Sequence, residues 1–277
     1  MPSSPAPTPN PKRPPRAPRP LPEAAEQKLC GLNACLAVFH HRRDAIVRAY
    51  VSEARRPAAG VAALLRWCAK SRRAYHVVPD ADLERLTQSA HHEGICLLVR
   101  RPPAPSFPDF LASLPATPAP CCLLLLENVG NPHNLGAIAR NAAHFGAAGI
   151  LLAGPGAMPS PAAYRTAEGG LETVPAVPLP EPLRALRALH AAGFTLVATS
   201  SHAAAPFQAT AGGLPPRCVL LLGAEGEGLS PALAAAADRN VAIPGTGAVE
   251  SINVACAAAV LLAEFWRRHR LAAGTGA

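Results

Sequence analysis

The chain has 277 residues, enough for one large domain or two of ordinary size, and 49% of them are hydrophobic, ample for a buried core. Only 16% are charged, yet the formal net charge is +8. Residues 1–101 carry 17 Lys+Arg against 8 Asp+Glu, and residues 102–277 carry 9 against 10. A basic part beside a near-neutral one fits a polyanion held by the first and processed by the second, and a basic tail with a solvated Arg-rich face accounts for it equally well. No stretch is long and apolar enough to span a membrane, and the proline-rich start lacks the hydrophobic segment of a secretory signal.

Residues 1–27 are rich in Pro, Ala, Ser and Arg, with Lys12, Arg13, Arg16 and Arg19. Such a segment buries too little apolar surface to offset its ordering entropy, so a disordered basic tail is expected. Residues 28–100 read as a small α/β domain. The pattern predicts a helix over Leu29–Phe39, a strand over Ala45–Tyr50, a helix over Val61–Ser71, a strand over Tyr75–Val78, a helix over Asp80–Ala90 and a strand over Ile95–Val99. Seven prolines between 102 and 120 predict a stiff linker over 101–120, because each removes a backbone N–H.

Residues 121–277 alternate apolar runs with helical patterns. Strands are expected at Cys121–Leu126, Gly149–Leu152, Thr173–Val177, Thr195–Thr199, Cys218–Leu222 and Asn240–Ile243. Helices are expected at Asn134–Phe145, Glu181–Ala191, Pro231–Ala236 and Ser251–Arg270. Short apolar runs between helices imply a mostly parallel sheet buried on both faces, with its site on loops at the strands' carboxyl ends. The eight cysteines include no Cys-x-x-Cys and lie mostly in apolar runs, so they read as small buried hydrophobes in a reducing cytoplasm. No clustered Cys/His pattern predicts a metal site.

Three loops after these strands are richer in Gly, Asn and polar residues than a connector needs. The first runs from Glu127 through Asn134 to Arg140; Asn134 can cap the following helix, and Arg140 stands among apolar helical residues. The second, from Gly223 to Ser230, has three glycines in six residues, which free the backbone to approach a ligand, and it contains Glu225. It is not Gly-x-Gly-x-x-Gly, and no helix opens inside it, which disfavours a dinucleotide fingerprint. The third runs from Ile243 to Asn253, where Ser251 can cap the last helix. Each loop alone reads more readily as an ordinary turn and cap.

In this order, the loops resemble the three motifs of the SpoU (TrmH-like) RNA 2′-O-methyltransferases. Asn134-x-Gly-x-x-x-Arg140 matches the first, Gly223-Ala-Glu-Gly-Glu-Gly the second, and Ile243-Pro244 with Ser251-Ile-Asn-Val the third. Tyr164-Arg-Thr-Ala-Glu-Gly-Gly170 resembles the tRNA/rRNA methyltransferase branch, and the first domain, with His91-His92-Glu93-Gly94, resembles that family's RNA-binding module. The resemblance implies a mostly parallel α/β catalytic domain with a trefoil knot (SPOUT-type), a homodimer, and S-adenosylmethionine as cofactor. It also implies a catalytic group of Arg140, Asn134, Glu225, Ser251 and Asn253, cofactor contacts at Gly223, Ile243 and Ile252, and Thr199 and Ser200 as neighbours. Two positions depart from the pattern: Gly245 stands where the family often has Met, and Ala255 where it often has Ser.

Methyl transfer from a sulfonium is an in-line displacement that requires no metal. The weakly acidic ribose hydroxyl is the difficulty. Arg140, with its fork of donors, is the residue expected to hold the hydroxyl and a neighbouring phosphate and to favour the developing alkoxide; it is not expected to act as a base. Glu225, Asn134 and Asn253 are expected to orient Arg140 or the ribose. Arg42, Arg43, Arg55, Arg56, Arg72 and Arg73, together with Arg48, Arg66 and Lys70, are candidates to grip RNA phosphates. Three alternatives stay open: an inactive RNA-binding relative, a knotted enzyme that methylates a base, and an unrelated nucleotide-dependent oxidoreductase. Whether the RNA is tRNA or rRNA is not read from the sequence.

Overall fold

The computed structural model describes residues 26–154, 158–200 and 213–271. Most of the expected tail lies outside them, but Glu26 and Gln27 do not: strand β1 (Glu26–Cys30) begins there. It alternates exposed and buried residues, as a strand with one covered face should. Helix α1 (Leu32–Arg42) follows. The helix predicted over Leu29–Phe39 is therefore the end of a strand and a helix shifted three residues later, separated by Gly31 at φ 97°, which a side chain rarely tolerates.

The first domain continues with β2 (Ile46–Ser52), α2 (Ala59–Lys70), β3 (Ala74–Val78), α3 (Asp80–Thr87) and β4 (Ile95–Arg100). Its sheet order is β1-β4-β2-β3; only β2 and β3 are parallel. One face packs Leu29, Ile46, Val51, Leu97 and Val99 against α1 and α2, and the other packs Cys30 and Cys96 against Leu83 of α3.

The proline-dense stretch is not featureless. It contains α4 (Phe107–Ser113), capped by Ser106, whose Oγ accepts the Asp109 N–H at 3.3 Å. Phe110 lies over Gly149, where an added Cβ would stand 2.4 Å from the ring, so α4 packs onto the second domain's core.

The second domain holds β5 (Cys121–Glu127), α5 (Pro132–Phe145), β6 (Gly149–Ala153), α6 (Pro161–Ala167), α7 (Gly170–Thr173), β7 (Ala176–Leu179), α8 (Pro182–Ala191), β8 (Thr195–Thr199), β9 (Arg217–Leu222), α9 (Pro231–Ala235), β10 (Arg239–Val241) and α10 (Val254–Trp266). The strand expected at Thr173–Val177 starts later, because Thr173 closes α7; β7 is an edge strand and so accommodates Pro178. The last helix starts at Val254 rather than Ser251 and ends in a π-type turn, Arg267–Leu271.

These strands form a six-stranded sheet, β10-β8-β9-β5-β6-β7, with every pairing parallel. Along β5 the period of two sends Cys122, Leu124 and Leu126 toward α5 and α10, and Cys121, Leu123 and Leu125 toward α4, α8 and α9. Because the strands are parallel, the loops after β5, β8, β9 and β10 emerge on one edge of the sheet. Among the described residues no helix is long and apolar enough to cross a membrane.

The two domains meet on α6 and α7. Tyr164 packs against the first domain's core, and Gly169 lies so close to α1 that a Cβ there would stand 2.9 Å from Ala37 Cβ. Arg42 holds Glu172 through two bonds, Nε–Oε2 at 2.6 Å and Nη2–Oε1 at 2.7 Å, with the side chains 17% and 6% exposed. This fork-to-fork pair is the strong form of a carboxylate contact.

Candidate active site

The first motif enters α5 through Asn131, not Asn134. Asn131 Oδ1 accepts the His133 N–H at 2.9 Å, and Pro132 takes the first helical position, where its missing N–H costs nothing. The cap one turn earlier leaves Asn134 inside the helix, 9% exposed, with its amide facing the other loops. Gly136 sits against α6, where a Cβ would be 2.5 Å from Thr166 Cβ and 2.6 Å from the Ala163 carbonyl oxygen. The glycine of this motif therefore serves helix contact.

The second motif is a loop folded on itself. Gly228 N–H donates to the Ala224 carbonyl at 2.9 Å. A Cβ on Gly223 would lie 2.0 Å from the Gly228 carbonyl carbon, so no side chain fits there. At the mouth of the loop, the Ser230 N–H donates to Glu127 Oε2 at 2.7 Å, binding the ends of β5 and β9 together. Glu225 projects from the loop and is exposed.

The third motif ends in a cap, but Asn253 supplies it rather than Ser251. Asn253 Oδ1 accepts the N–H groups of Ala255 at 2.8 Å and Cys256 at 3.3 Å. Its Nδ2 is then aimed away from α10 and donates to Glu225 Oε1 at 2.6 Å and to Asn134 Oδ1 at 3.0 Å. Asn134 Nδ2 closes the ring on Glu225 Oε1 at 3.2 Å. One residue from each motif thus meets the other two, although Asn134 and Asn253 lie 119 positions apart.

Arg140 and Ser251 make none of these bonds. Ser251 is exposed in the loop before α10. Arg140 lies farther along α5, with its side chain 58% exposed, and its Nη1 donates to Glu168 Oε1 at 2.7 Å. Glu168 was not among the residues the sequence singled out for chemistry, although it lies within the 164–170 stretch that resembles one branch of the family. Its φ of 46° is left-handed, a conformation that costs a non-glycine residue about 1–2 kcal/mol.

The expected cofactor residues share the carboxyl edge. Thr199 ends β8, and its hydroxyl donates to the Leu221 carbonyl at 3.0 Å. Ser200 N–H donates to the Val241 carbonyl at 3.1 Å, prolonging the β8–β10 ladder. Ile243 is half-buried against the core after β10. In the loop that follows, Val249 is 70% exposed and Ile252 46%, a high exposure for large apolar side chains. Among the described residues no group of three or more His, Cys, Asp and Glu is placed to hold a metal ion.

The basic residues of the first domain divide by environment. Arg42 is taken up by Glu172 and by the Arg100 carbonyl at 2.9 Å, so it faces the second domain rather than solvent. Arg55 Nε donates to the Glu93 carbonyl at 2.9 Å, and Arg56 lies 3.6 Å from Glu53. Arg43 and Arg72 are exposed and Arg73 half-buried. Within the His91–Gly94 stretch, Glu93 Oε2 accepts the Leu32 N–H at 2.6 Å and so satisfies a free donor at the start of α1. Seven of the eight cysteines are buried; burial raises the thiol of Cys68 to about 11 and that of Cys96 to about 12.

Comparisons with known proteins identify the family. Residues 122–263 match the SpoU rRNA Methylase family, and residues 28–105 match RNA 2′-O ribose methyltransferase substrate binding. A protein of Escherichia coli O157:H7 described as an uncharacterized tRNA/rRNA methyltransferase is 40% identical over 247 residues, 89% of this chain and 70% of that protein. The SpoU methyltransferase AviRb of Streptomyces viridochromogenes, solved in complex with AdoMet, superposes with a TM-score of 0.70 at 27% identity, over 87% of this chain and 89% of that one. A crystal structure of an RNA 2′-O ribose methyltransferase gives 0.71 at 26% identity, over 88% and 89%. The chain belongs to the SpoU family of RNA methyltransferases.

Proposed function

We propose that this protein transfers a methyl group from S-adenosylmethionine to a ribose 2′-hydroxyl of a tRNA or rRNA in the cytoplasm, as a homodimer. The observation that carries this reading is the ring of Asn134, Glu225 and Asn253, which ties the three motif loops together beside the carboxyl edge of the parallel sheet. The exposed Val249 and Ile252, near the half-buried Ile243, suit the apolar faces of an adenine ring and a methionine chain, so the residues fit the cofactor. Bound there, S-adenosylmethionine supplies an electrophilic methyl group.

The protein's part is orientation and charge. Arg140 presents an accessible guanidinium that can hold a phosphate and the ribose hydroxyl together and stabilise negative charge as it develops on the hydroxyl oxygen. A phosphate oxygen or water takes the proton, since the guanidinium stays protonated. The ring of Asn134, Glu225 and Asn253 holds the three loops to one another and makes no bond to Arg140. Ser251, two residues before Asn253 and exposed, is assigned to the ribose in this reading.

Arg43, Arg55, Arg56, Arg72 and Arg73 form the RNA-gripping set, without Arg42. The homodimer is supported by the outer face of α10, where Cys256 and Val260 are exposed one turn apart. The trefoil knot and the active site at a subunit interface belong to the same reading, by family.

The test is methyl transfer from labelled S-adenosylmethionine to total RNA of a host lacking this protein, followed by nucleoside mass spectrometry. A single 2′-O-methylated nucleoside is expected. A methylated base, or cofactor binding without transfer to any RNA, overturns the reading.

A further inference from the structure

Glu168 occupies a junction that the reaction as described leaves unexplained. Its Oε1 accepts Arg140 Nη1 at 2.7 Å, and its Oε2 accepts Asn33 Nδ2 at 3.0 Å. Arg140 belongs to α5 of the catalytic domain and Asn33 to the first turn of α1 in the RNA-binding domain. One carboxylate thus bonds to both domains, and on the catalytic side its partner is Arg140.

Its backbone points the same way. Glu168 is the C-cap of α6 in the left-handed conformation, with φ 46° and ψ 42°, where glycine fits without strain. The residue after it, Gly169, does supply a glycine, at φ 99° and close against α1. A carboxylate kept at a strained cap, with each oxygen engaged by a different domain, is an outlier of the kind that collects at functional positions.

We propose that Glu168 is a positioning residue for Arg140: it fixes the guanidinium for the RNA and, through Asn33, makes that orientation depend on the docked RNA-binding domain. This rests on the reading of Arg140 as the catalytic cation. The consequence is a coupling between a residue of the first domain and the rate of the chemical step.

The decisive variant is Glu168→Gly, because it removes the carboxylate while relieving the strained cap. The probe is the RNA of the host lacking this protein, in single-turnover methyl transfer with enzyme in excess. The maximal rate is expected to fall about tenfold. The enzyme concentration giving half that rate, the affinity for S-adenosylmethionine and the melting temperature are expected to hold or, for the last, to rise. Asn33→Ala should fall about threefold alone and add nothing to Glu168→Gly, whereas Glu168→Gln, which keeps hydrogen-bonding reach, should recover part of the rate. An unchanged or raised maximal rate in Glu168→Gly overturns the proposal, as does a loss that appears only in RNA affinity. Arg140→Ala separates the two levels: if it keeps turnover, the catalytic reading itself fails; if it abolishes turnover while Glu168→Gly is silent, only the positioning role fails.

Discussion

Arg42 of α1 and Glu172 of α7 face each other as planar groups joined by two bonds of 2.6 and 2.7 Å, and Glu172 is only 6% exposed. An arginine selected from the sequence as a phosphate contact is instead part of the joint between domains. Removing it strands a buried carboxylate. Arg42→Ala is expected to destabilise the protein by about 3 kcal/mol, read from the denaturant midpoint. Arg56→Ala, on an exposed pair, should stay within about 0.5 kcal/mol.

Asn253 does two things with two atoms, and substitution can separate them. Asn253→Ser keeps an oxygen for the α10 cap but cannot reach Glu225 and Asn134 with an amide. Its melting temperature should stay close to that of the parent while methyl transfer falls at least tenfold. Asn253→Ala should lose the cap as well, at about 1 kcal/mol. Activity equal to the parent's in Asn253→Ser would reduce Asn253 to a cap.

The glycines of the last two motifs are not equivalent. Gly223→Ala places a carbon 2.0 Å from the Gly228 backbone, so the loop must open, and both stability and cofactor affinity are expected to drop severely. Gly245, the departure from the family pattern, has open space around its Cβ position. Gly245→Ala should leave melting temperature and cofactor titration unchanged.

Binding of RNA should weaken steeply with salt, since the gripping set acts through phosphate charge. Neutralising Arg43, Arg56 and Arg72 together is expected to lower the slope of log affinity against log salt by about 2, near 0.7–0.9 per contact. An unaltered slope would move the RNA elsewhere on the molecule.

The buried thiols give the protein an alkaline limit. Cys68 and Cys96 ionise near 11 and 12 in the folded protein, above their ordinary value of 9.0. A group raised on folding contributes stability in full below its unfolded value and loses it as pH rises toward the folded value. The unfolding free energy should therefore decline from about pH 9 toward pH 12.

Much of the second domain was legible in residue patterns. The runs at 121–126, 149–152 and 218–222 are apolar because both faces of those strands are covered, and they appear at those places. The motif loops were readable because their Gly, Asn and Glu residues recur in order and at set spacings after three strands, which no single turn or cap requires. What stayed hidden depended on distant partners. Glu26–Cys30 reads as coil or helix until β4 supplies its ladder. Glu168 and Glu172 look like ordinary helix-end carboxylates until α1 is packed beside them. The caps at Asn131 and Asn253 fell a few residues from the positions chosen because several capping residue types crowd each helix start, and only geometry selects among them.

Tyr164 belongs in sequence to the catalytic domain but lies against the core of the first. During synthesis, residues 26–100 leave the ribosome some sixty positions before the helix that covers this face of them. The amino-terminal domain therefore spends that interval with an uncovered apolar flank and with Arg42 lacking its carboxylate partner, a period in which a chaperone or another nascent chain would find it. Its maturation is timed by the translation of residues 161–173, and a truncation before them should yield an aggregation-prone fragment rather than an autonomous RNA-binding module.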